Sequence, residues 1–473
     1  MDETKQISAL ESLAEVARSR QPEKSTRLAS IRVSPGAYLA AASVLTFSSV
    51  LFLRSQHDLW ALVCVALAWI VIPTLAFADR ISFDGDRLVR EGPVPFLVRL
   101  VTGRRSQLRL ADFEKVDTHA VRTLRRRGTV RYRYRTQVAG RGTEFTFVSG
   151  GSSYRQMVRQ LLPVIEDDKL DVRTRELRDY LFDPKSLARE VEQLQLASAD
   201  VLDEASQDFK LPTAKTDDSV SAEVVVHNME RAQQLRQLAN KLRVNGRLRE
   251  ATEAFRRALI VVPRNGWLIY EFARLLKSQA SAKGDARLLS RCRAALKLSE
   301  LRAGADGKLL SLIGETYLEC GDVDRAQRTF QKAIESGEGK FRSHVGLADV
   351  ALRTGKLAHV IHQYRDAGYA ASDKALSLYA HREADYYARL NDDDDYLASE
   401  LRRISWLQHS MRTRKLAARV TNASILIALV GPYIEASIAS LGWALASSSL
   451  LAWIVSLFTA KALSDRRKPA QLD

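Results

Sequence analysis

Cysteine is scarce in this sequence, whose 473 residues include only Cys64, Cys292 and Cys320. So few thiols exclude a small secreted fold held together by disulfides, and their spacing forms no zinc knuckle. The sequence also lacks a glycine-rich phosphate loop, a nucleophile elbow and the alternating ligands of a calcium loop. We therefore expect a protein that is not an enzyme and that needs no cofactor and no metal.

Charged residues are absent from two long stretches near the N-terminus, residues 36–53 and residues 59–78. A bilayer core of about 30 Å is crossed by about 20 helical residues, so each stretch can span a membrane. The short polar break between them leaves no room for a domain, and we predict a transmembrane hairpin over residues 36–78. The alternative is a secretory signal peptide, but such a peptide would not follow a long mixed-charge segment and a complete apolar run.

A second apolar block lies near the C-terminus, where Glu435 is the only charged residue between positions 420 and 460. As a helix this block would be about 60 Å long, twice the thickness of a bilayer core. We predict a second hairpin over residues 420–461 that turns between Gly431 and Gly442; the alternative is one span and an interfacial segment. Glu435 is then a hydrated carboxylate near the turn or, alternatively, part of a proton or ion path.

Lysine and arginine flank both apolar blocks on their outer sides, whereas the break inside the first block contains only Arg54. Segments rich in these residues stay on the cytoplasmic side of a membrane. We therefore expect the N-terminal tail of residues 1–35, the soluble middle and the C-terminal tail of residues 462–473 to be cytoplasmic.

The segment after the first hairpin, residues 79–166, has the alternation of short strands closed by one amphipathic helix. The predicted strands lie within residues 81–92, 108–110, 114–121, 129–138 and 143–148, and the helix covers residues 152–165. This pattern resembles the bacterial pleckstrin-homology-like domain, which in that family often follows a transmembrane hairpin directly. The resemblance implies a small β domain in a protein of the bacterial inner membrane.

This predicted β domain is strongly basic, with 18 basic against 8 acidic side chains between Arg80 and Glu166. Its candidate contacts with anionic lipid are Arg125, Arg126, Arg127, Arg131, Arg133 and Arg135. Alternation along residues 129–138 places the last three on one strand face. That face either binds lipid headgroups or is a solvated surface that obeys the positive-inside rule. We expect no nucleic-acid partner, because no known reader motif is present.

A charged helical connector and a polar linker, residues 167–222, lead to an internal repeat in residues 223–410. The repeat spacing occurs in Ala239, Leu242, Gly246, Ala251, Phe255, Ala258 and Pro263, and again in Gly314, Tyr317, Gly321, Ala326, Phe330 and Ala333. It resembles the tetratricopeptide repeat, in which small residues let two helices approach and an aromatic residue fills the space toward the next unit. The resemblance implies an all-α solenoid with a concave groove that binds protein segments.

Family geometry also implies which positions face that groove. They are Arg236, Asn240, Arg243, Lys308, Glu315, Arg342 and Asp349. Arg236, Asn240 and Lys308 resemble part of the carboxylate clamp by which some family members hold the C-terminus of a chain. Glu271 and Leu312 stand where that clamp needs Asn and a basic residue, so we expect a mixed-charge groove for another peptide or protein face.

These observations predict a multidomain membrane protein with two transmembrane hairpins, a small pleckstrin-homology-like β domain and an all-α tetratricopeptide-like solenoid. The predicted function is that of a scaffold or adaptor at the bacterial inner membrane, which recruits a protein partner through the cytoplasmic groove. The alternative is a lipid-responsive or transport-associated membrane subunit whose transmembrane helices carry the function. Expected partners are proteins, anionic lipids and subunits of membrane complexes.

Overall fold

The computed structural model describes residues 27–102, 106–126, 129–196, 222–431 and 435–464. This part of the chain is mostly helical and contains a small antiparallel β region. The strands are β1 (Ala29–Arg32), β2 (Arg80–Phe83), β3 (Arg87–Glu91), β4 (Gln107–Arg109), β5 (Lys115–Arg126), β6 (Thr129–Gly140) and β7 (Thr143–Val148). The predicted N-terminal tail up to residue 26, most of the predicted linker, and residues 465–473 lie outside the described residues.

The helices before the repeat segment are α1 (Gly36–Arg54), α2 (Asp58–Ala78), α3 (Pro93–Thr102), α4 (Ser152–Leu161), α5 (Val172–Tyr180) and α6 (Pro184–Gln193). Those that follow are α7 (Ala222–Val244), α8 (Leu248–Val261), α9 (Gly266–Lys283), α10 (Ala286–Ala303), α11 (Gly307–Glu319), α12 (Val323–Glu335), α13 (Lys340–Arg353), α14 (Leu357–Ala370), α15 (Lys374–Asp392), α16 (Asp394–Val430) and α17 (Ala436–Ser464).

Helices α1 and α2 form the predicted first hairpin, and strands continue the chain at both of its ends. β1 comes just before α1, β2 follows α2, and the two strands pair antiparallel with Ile31 opposite Ile81. Both ends of the hairpin therefore lie on the same side. The fully buried Asp79 accepts hydrogen bonds from Tyr38 Oη (2.5 Å) and from Arg90 Nη2 (2.5 Å). These bonds fasten the base of the hairpin to the β domain.

The β domain consists of a four-stranded sheet, β1 to β4, and a three-stranded sheet, β5 to β7. Phe83, Phe113 and Phe147 are fully buried in its core, together with Met157 of α4. The predicted strands and the predicted helix are confirmed. Two elements were not predicted: β1 lies in what the sequence suggested was a tail, and α3 lies between the predicted strands.

Helices α7 to α15 form a helical region in which each helix packs against the next along the chain. The first helices of successive pairs, α9, α11 and α13, also contact one another. The predicted small and aromatic residues meet as expected: a Cβ added at Gly314 would lie 2.6 Å from the ring of Phe330. Phe255, Phe330 and Tyr364 are buried.

Three helices among the described residues are long and apolar enough to cross a membrane: α1, α2 and residues 437–460 of α17. The prediction of two spans in the C-terminal block therefore needs a correction. The turn lies at its earliest predicted position, just after α16, so the charge-free part of α16 after Arg419 is only residues 420–430. That part is about 16 Å long, half of a bilayer core.

Helices α16 and α17 nevertheless pack closely along most of their length. The Thr421 and Ser449 hydroxyls are 2.9 Å apart, and a Cβ added at Gly442 would lie 2.6 Å from the backbone nitrogen of Ala428. α16 runs without interruption from the helical region into this pair. Asp393 caps its N-terminus, where the Asp393 carboxylate accepts a hydrogen bond from Tyr396 N (2.9 Å). No loop therefore separates the helical region from the C-terminal apolar block.

Candidate interaction site

The predicted groove positions lie on a face of the helical region that we call the inner face, formed by α7, α9, α11 and α13. At one end, Glu271 of α9 accepts hydrogen bonds from Arg236 Nε (2.6 Å), from Arg236 Nη2 (2.8 Å) and from Asn240 Nδ2 (2.8 Å). The residue that departs from the clamp pattern is thus an internal carboxylate that engages two of the three clamp-like residues. Tyr180 Oη of α5 donates a further hydrogen bond to Glu271 (3.2 Å).

The centre of the inner face holds an acidic side chain from α5. Glu176 pairs with Arg243 Nη1 of α7 (2.9 Å) and with Arg274 Nε of α9 (2.7 Å). Both arginines are nearly inaccessible to solvent, with relative exposures of 4%. Burial alone would raise the pKa of Glu176, but the charges of Arg243 and Arg274 outweigh that effect and hold it well below its usual range. Glu176 is therefore ionised at neutral pH.

A neighbouring ion pair widens this cluster. Arg274 also pairs with Glu319 of α11, and Lys277 binds the same carboxylate. Burial would raise the pKa of Glu319, but the charges of Arg274 and Lys277 lower it to about 2. Arg274 consequently has two carboxylate partners, one within the helical region and one on α5.

The far end of the inner face binds backbone as well as side chains. Arg342 of α13 pairs with Glu315 of α11, and its Nη2 donates to the carbonyl oxygen of Leu170 (2.9 Å). Beyond it, Lys169 Nζ lies 2.5 Å from an Asp373 carboxylate oxygen, and Arg382 lies 2.6 Å from Glu114. The segment from Asp167 to Tyr180 thus crosses the inner face from Arg342 to Glu271, and Lys169 extends its contacts to Asp373 beyond that face.

The β domain itself touches the helical region at the turn after α7. Tyr134 Oη donates to the carbonyl oxygen of Val244 (2.5 Å), and Val130 N donates to the carbonyl oxygen of Gly246 (3.1 Å). Gly246 has a φ of +83°, and a Cβ there would lie 1.8 Å from Val130 O. Only glycine allows this approach, which brings the tyrosine face of β6 against the helical region.

Five of the predicted groove residues therefore already have partners in the chain: Arg236, Asn240, Arg243, Glu315 and Arg342. The other two are exposed. Lys308 has no ion-pair partner among the described residues, and the charge of Asp349 acts on Lys115 of β5. Glu176 and Tyr180 were not predicted as part of this site. No sequence pattern in the connector indicates that it contacts the inner face, whose residues lie more than fifty positions further along the chain.

Five of the six predicted lipid-contact residues lie on β5 and β6. Arg131, Arg133 and Arg135 are exposed on β6, opposite the half-buried Tyr132 and Tyr134, so the predicted alternation is confirmed. Arg125 and Arg126 belong to β5, with Arg125 opposite Val130, but their side chains are not described. Arg127 lies outside the described residues.

Two further questions raised by the sequence concern ions. Glu435 is exposed just before α17 and is not enclosed between helices. The described residues contain no group of three His, Cys, Asp or Glu side chains placed to hold a metal ion.

The chain has no match among protein families or among curated proteins.

Proposed function

We propose that this protein is a scaffold or adaptor of the bacterial inner membrane that recruits protein partners through tetratricopeptide-like repeats in its helical region. The packing of small residues against aromatic rings, as at Gly314 and Phe330, supports the repeat assignment. So do the contacts between the first helices of successive pairs. A solenoid built from such units presents a concave surface to a protein segment.

The observation that carries this proposal is the binding of Glu176 by Arg243 and Arg274. A short helix with an acidic residue, α5, already lies on the inner face as a ligand would. We propose that α5 is an internal ligand, and that the external partner is an acidic helical segment that competes with it. The inner face would then be closed until a partner of higher affinity, or a movement of the β domain, displaces α5.

The apolar helices would place the inner face beside the membrane. α16 joins the helical region to the C-terminal apolar block without a loop, and the β domain is fastened to the first hairpin through Asp79. Anchoring at both ends would keep the inner face close to the bilayer and raise the effective concentration of a partner that is itself membrane-bound. The exposed arginines of β6 would contact anionic lipid headgroups.

A second candidate function is that of a lipid-responsive membrane subunit, and one observation favours it. α1, α2, α16 and α17 line an open cavity of about 850 Å³ within the apolar part of the protein. Replacing the helical region with a flexible linker distinguishes the two candidate functions. A lipid-responsive subunit would keep its activity without the helical region, whereas a scaffold would lose its function. Glu435→Gln tests the predicted ion path in the same assay.

The scaffold proposal can be tested with a defined ligand. A photo-crosslinking peptide of residues 167–183 is added to the purified full-length protein in detergent. Wild-type protein should label weakly, because its own α5 occupies the site. Full-length Glu176→Gln protein should label more strongly, by up to about a hundredfold, because its internal ligand is weakened while the arginines remain.

Two controls make this result specific. A peptide with Gln in place of Glu176 should label neither protein well, and Glu300→Gln, which breaks a pair with the exposed Lys332, should leave labelling at the wild-type level. Equal labelling of wild-type and Glu176→Gln protein would refute the inner face as an exchangeable ligand site. In-cell crosslinking of the same variants, followed by mass spectrometry, then identifies the partner that competes with α5.

A further inference from the structure

The apolar helices and the β domain meet at a pair of neighbouring cavities. The larger cavity, about 850 Å³, lies between the first hairpin and the pair formed by α16 and α17. Its walls are mostly apolar or aromatic side chains, with Phe47, Trp69, Trp443 and Trp453 among them. Small residues leave the space open, including Ala42 on α1 and Ala418 on α16.

The second cavity, about 450 Å³, lies in the β domain just beside the start of α1. Arg32 of β1, Arg80 of β2 and Arg133 of β6 line it. All three side chains are exposed, and none of them pairs with a carboxylate within the described part of the chain. Gly150 and Gly151 form another part of its wall, and a Cβ added at either would meet no atom within 4 Å. This is a roomy, positively charged pocket.

The two cavities share the residues at the junction between β1 and α1. Arg32, Val33 and Pro35 line both. The guanidinium of Arg32 lies 5.0 Å from the centre of the Phe77 ring at the end of α2, which holds it between the two cavities. The hydrogen bonds of Asp79 with Tyr38 and Arg90 fix the same junction. An apolar cavity between membrane helices therefore opens next to a cluster of arginines.

We propose that these cavities together bind one anionic phospholipid, with its phosphate among Arg32, Arg80 and Arg133 and an acyl chain between the helices. Charge complementarity supports this occupant, because three arginines without acidic partners favour a phosphate group. The apolar walls favour a hydrocarbon chain, and the bilayer supplies both parts in one molecule. A hydrophobic helix of another protein would fill the larger cavity but would leave the arginines without an anion.

Binding of a lipid here would link the β domain to the apolar helices through one molecule. The phosphate would connect β1, β2 and β6, and the chain would fill the space between the first hairpin and α16. The site rests on the proposed membrane anchoring, but it does not depend on recruitment of a protein partner. It would hold the β domain in one orientation on the membrane.

The test measures lipid binding to the purified full-length protein in neutral detergent by native mass spectrometry. Phosphatidylglycerol and phosphatidylcholine with identical acyl chains are the probes, and glycerol phosphate and inorganic phosphate are added in separate arms. We expect one phosphatidylglycerol to bind in preference to phosphatidylcholine, and the two soluble phosphates to compete poorly. The triple variant Arg32→Gln, Arg80→Gln and Arg133→Gln should reduce the affinity for phosphatidylglycerol on the order of a hundredfold.

Three further variants identify the source of the affinity. A control triple variant, Arg264→Gln, Arg302→Gln and Arg328→Gln, removes the same charge from exposed positions outside both cavities and should bind lipid like the wild type. Ala42→Phe with Ala418→Phe fills the larger cavity and should also abolish phosphatidylglycerol binding. The single variant Arg133→Gln changes one pocket residue on an exposed strand face, and this substitution should leave the fold intact.

Each contrary result has a distinct meaning. Unchanged binding in both arginine variants of the pocket would overturn the headgroup site. Equal competition by inorganic phosphate, or unchanged binding after the larger cavity is filled, would overturn the lipid in favour of a free anion. Membrane fractionation of the wild-type protein distinguishes these outcomes from a failure of the proposed function. If the proposed membrane anchoring is wrong, the whole wild-type chain will be found in the soluble fraction.

Discussion

Replacing Glu176 with glutamine should detach α5 from the inner face of the helical region. The substitution keeps the size of the side chain but removes the negative charge that lies between Arg243 and Arg274. Both arginines are buried, so neither can turn to bulk water for compensation. The oxygen of the remaining amide can still accept hydrogen bonds, but it cannot neutralise either cation.

The size of the effect follows from the partners that remain. Removing one member of a buried ion pair costs about 3–5 kcal/mol, because the other member is left uncompensated. Here Arg274 keeps its pair with Glu319, and Arg243 keeps hydrogen bonds to Asn240 Oδ1 at 3.1 and 3.3 Å. We therefore expect Glu176→Gln to lower the free energy needed to detach α5 from the inner face by the smaller of these values, about 3 kcal/mol.

Hydrogen exchange with mass spectrometry measures this quantity in the full-length protein. A loss of about 3 kcal/mol should accelerate exchange of the α5 amides roughly a hundredfold, since each 1.4 kcal/mol is a factor of ten. Exchange within the β domain core should change little. Glu300→Gln is the matched control: its pair with Lys332 is more exposed and should be worth less than about 1 kcal/mol.

One result would refute the reasoning. If α5 exchanges at the wild-type rate in Glu176→Gln while the control also shows no change, the ion pairs do not hold α5 in place. Its position would then depend on the remaining contacts, which include the hydrogen bond from Tyr180 to Glu271, the backbone hydrogen bonds of Arg342 and apolar packing. The proposed competition with an acidic partner would lose its basis.

Two further predictions concern pH and packing. Because the pKa of folded Glu176 lies below its unfolded value of 4.5, its stabilising contribution is complete above that pH and is lost below it. Exchange of α5, corrected for intrinsic rates, should accelerate as the pH falls from about 5 to 3 in the wild type and much less in Glu176→Gln. Gly314→Val should destabilise the protein by about 1–3 kcal/mol by pushing against Phe330, whereas Gly150→Ala should leave the melting temperature unchanged. Equal melting of wild type and Gly314→Val would contradict the close helix packing.

Much of the β domain could be predicted because its strands alternate and end at turns. The strand at 143–148 has the same limits in the sequence analysis and in the structure. β1 was missed because four residues are too short for a periodic signal and because a membrane hairpin separates it from its partner. α3 was not predicted, although Pro93 stands at the first helical position, where proline is well tolerated.

The inner face could be predicted only in part. Repeat spacing identified Arg236, Asn240 and Arg243 as neighbours on one surface, and they do share the Glu271 and Glu176 cluster. The spacing carried no information about what lies on that surface, because the contacts of α5 join residues far apart in the chain. The charge-free part of α16 also proved too short for the predicted second span of the C-terminal block. The composition of a sequence sets the length of an apolar block but not the position of the turn within it.

The pairing of β1 with β2 also imposes an order on the synthesis of this protein. β1 is made before the first hairpin and β2 after it, so the four-stranded sheet cannot close until both apolar helices have been made. If only one of these helices entered a bilayer, the two strands would lie on opposite sides of it, and Ile31 and Phe83 could not enter the same core. Completion of the β domain therefore requires the correct topology of the hairpin to which it is attached.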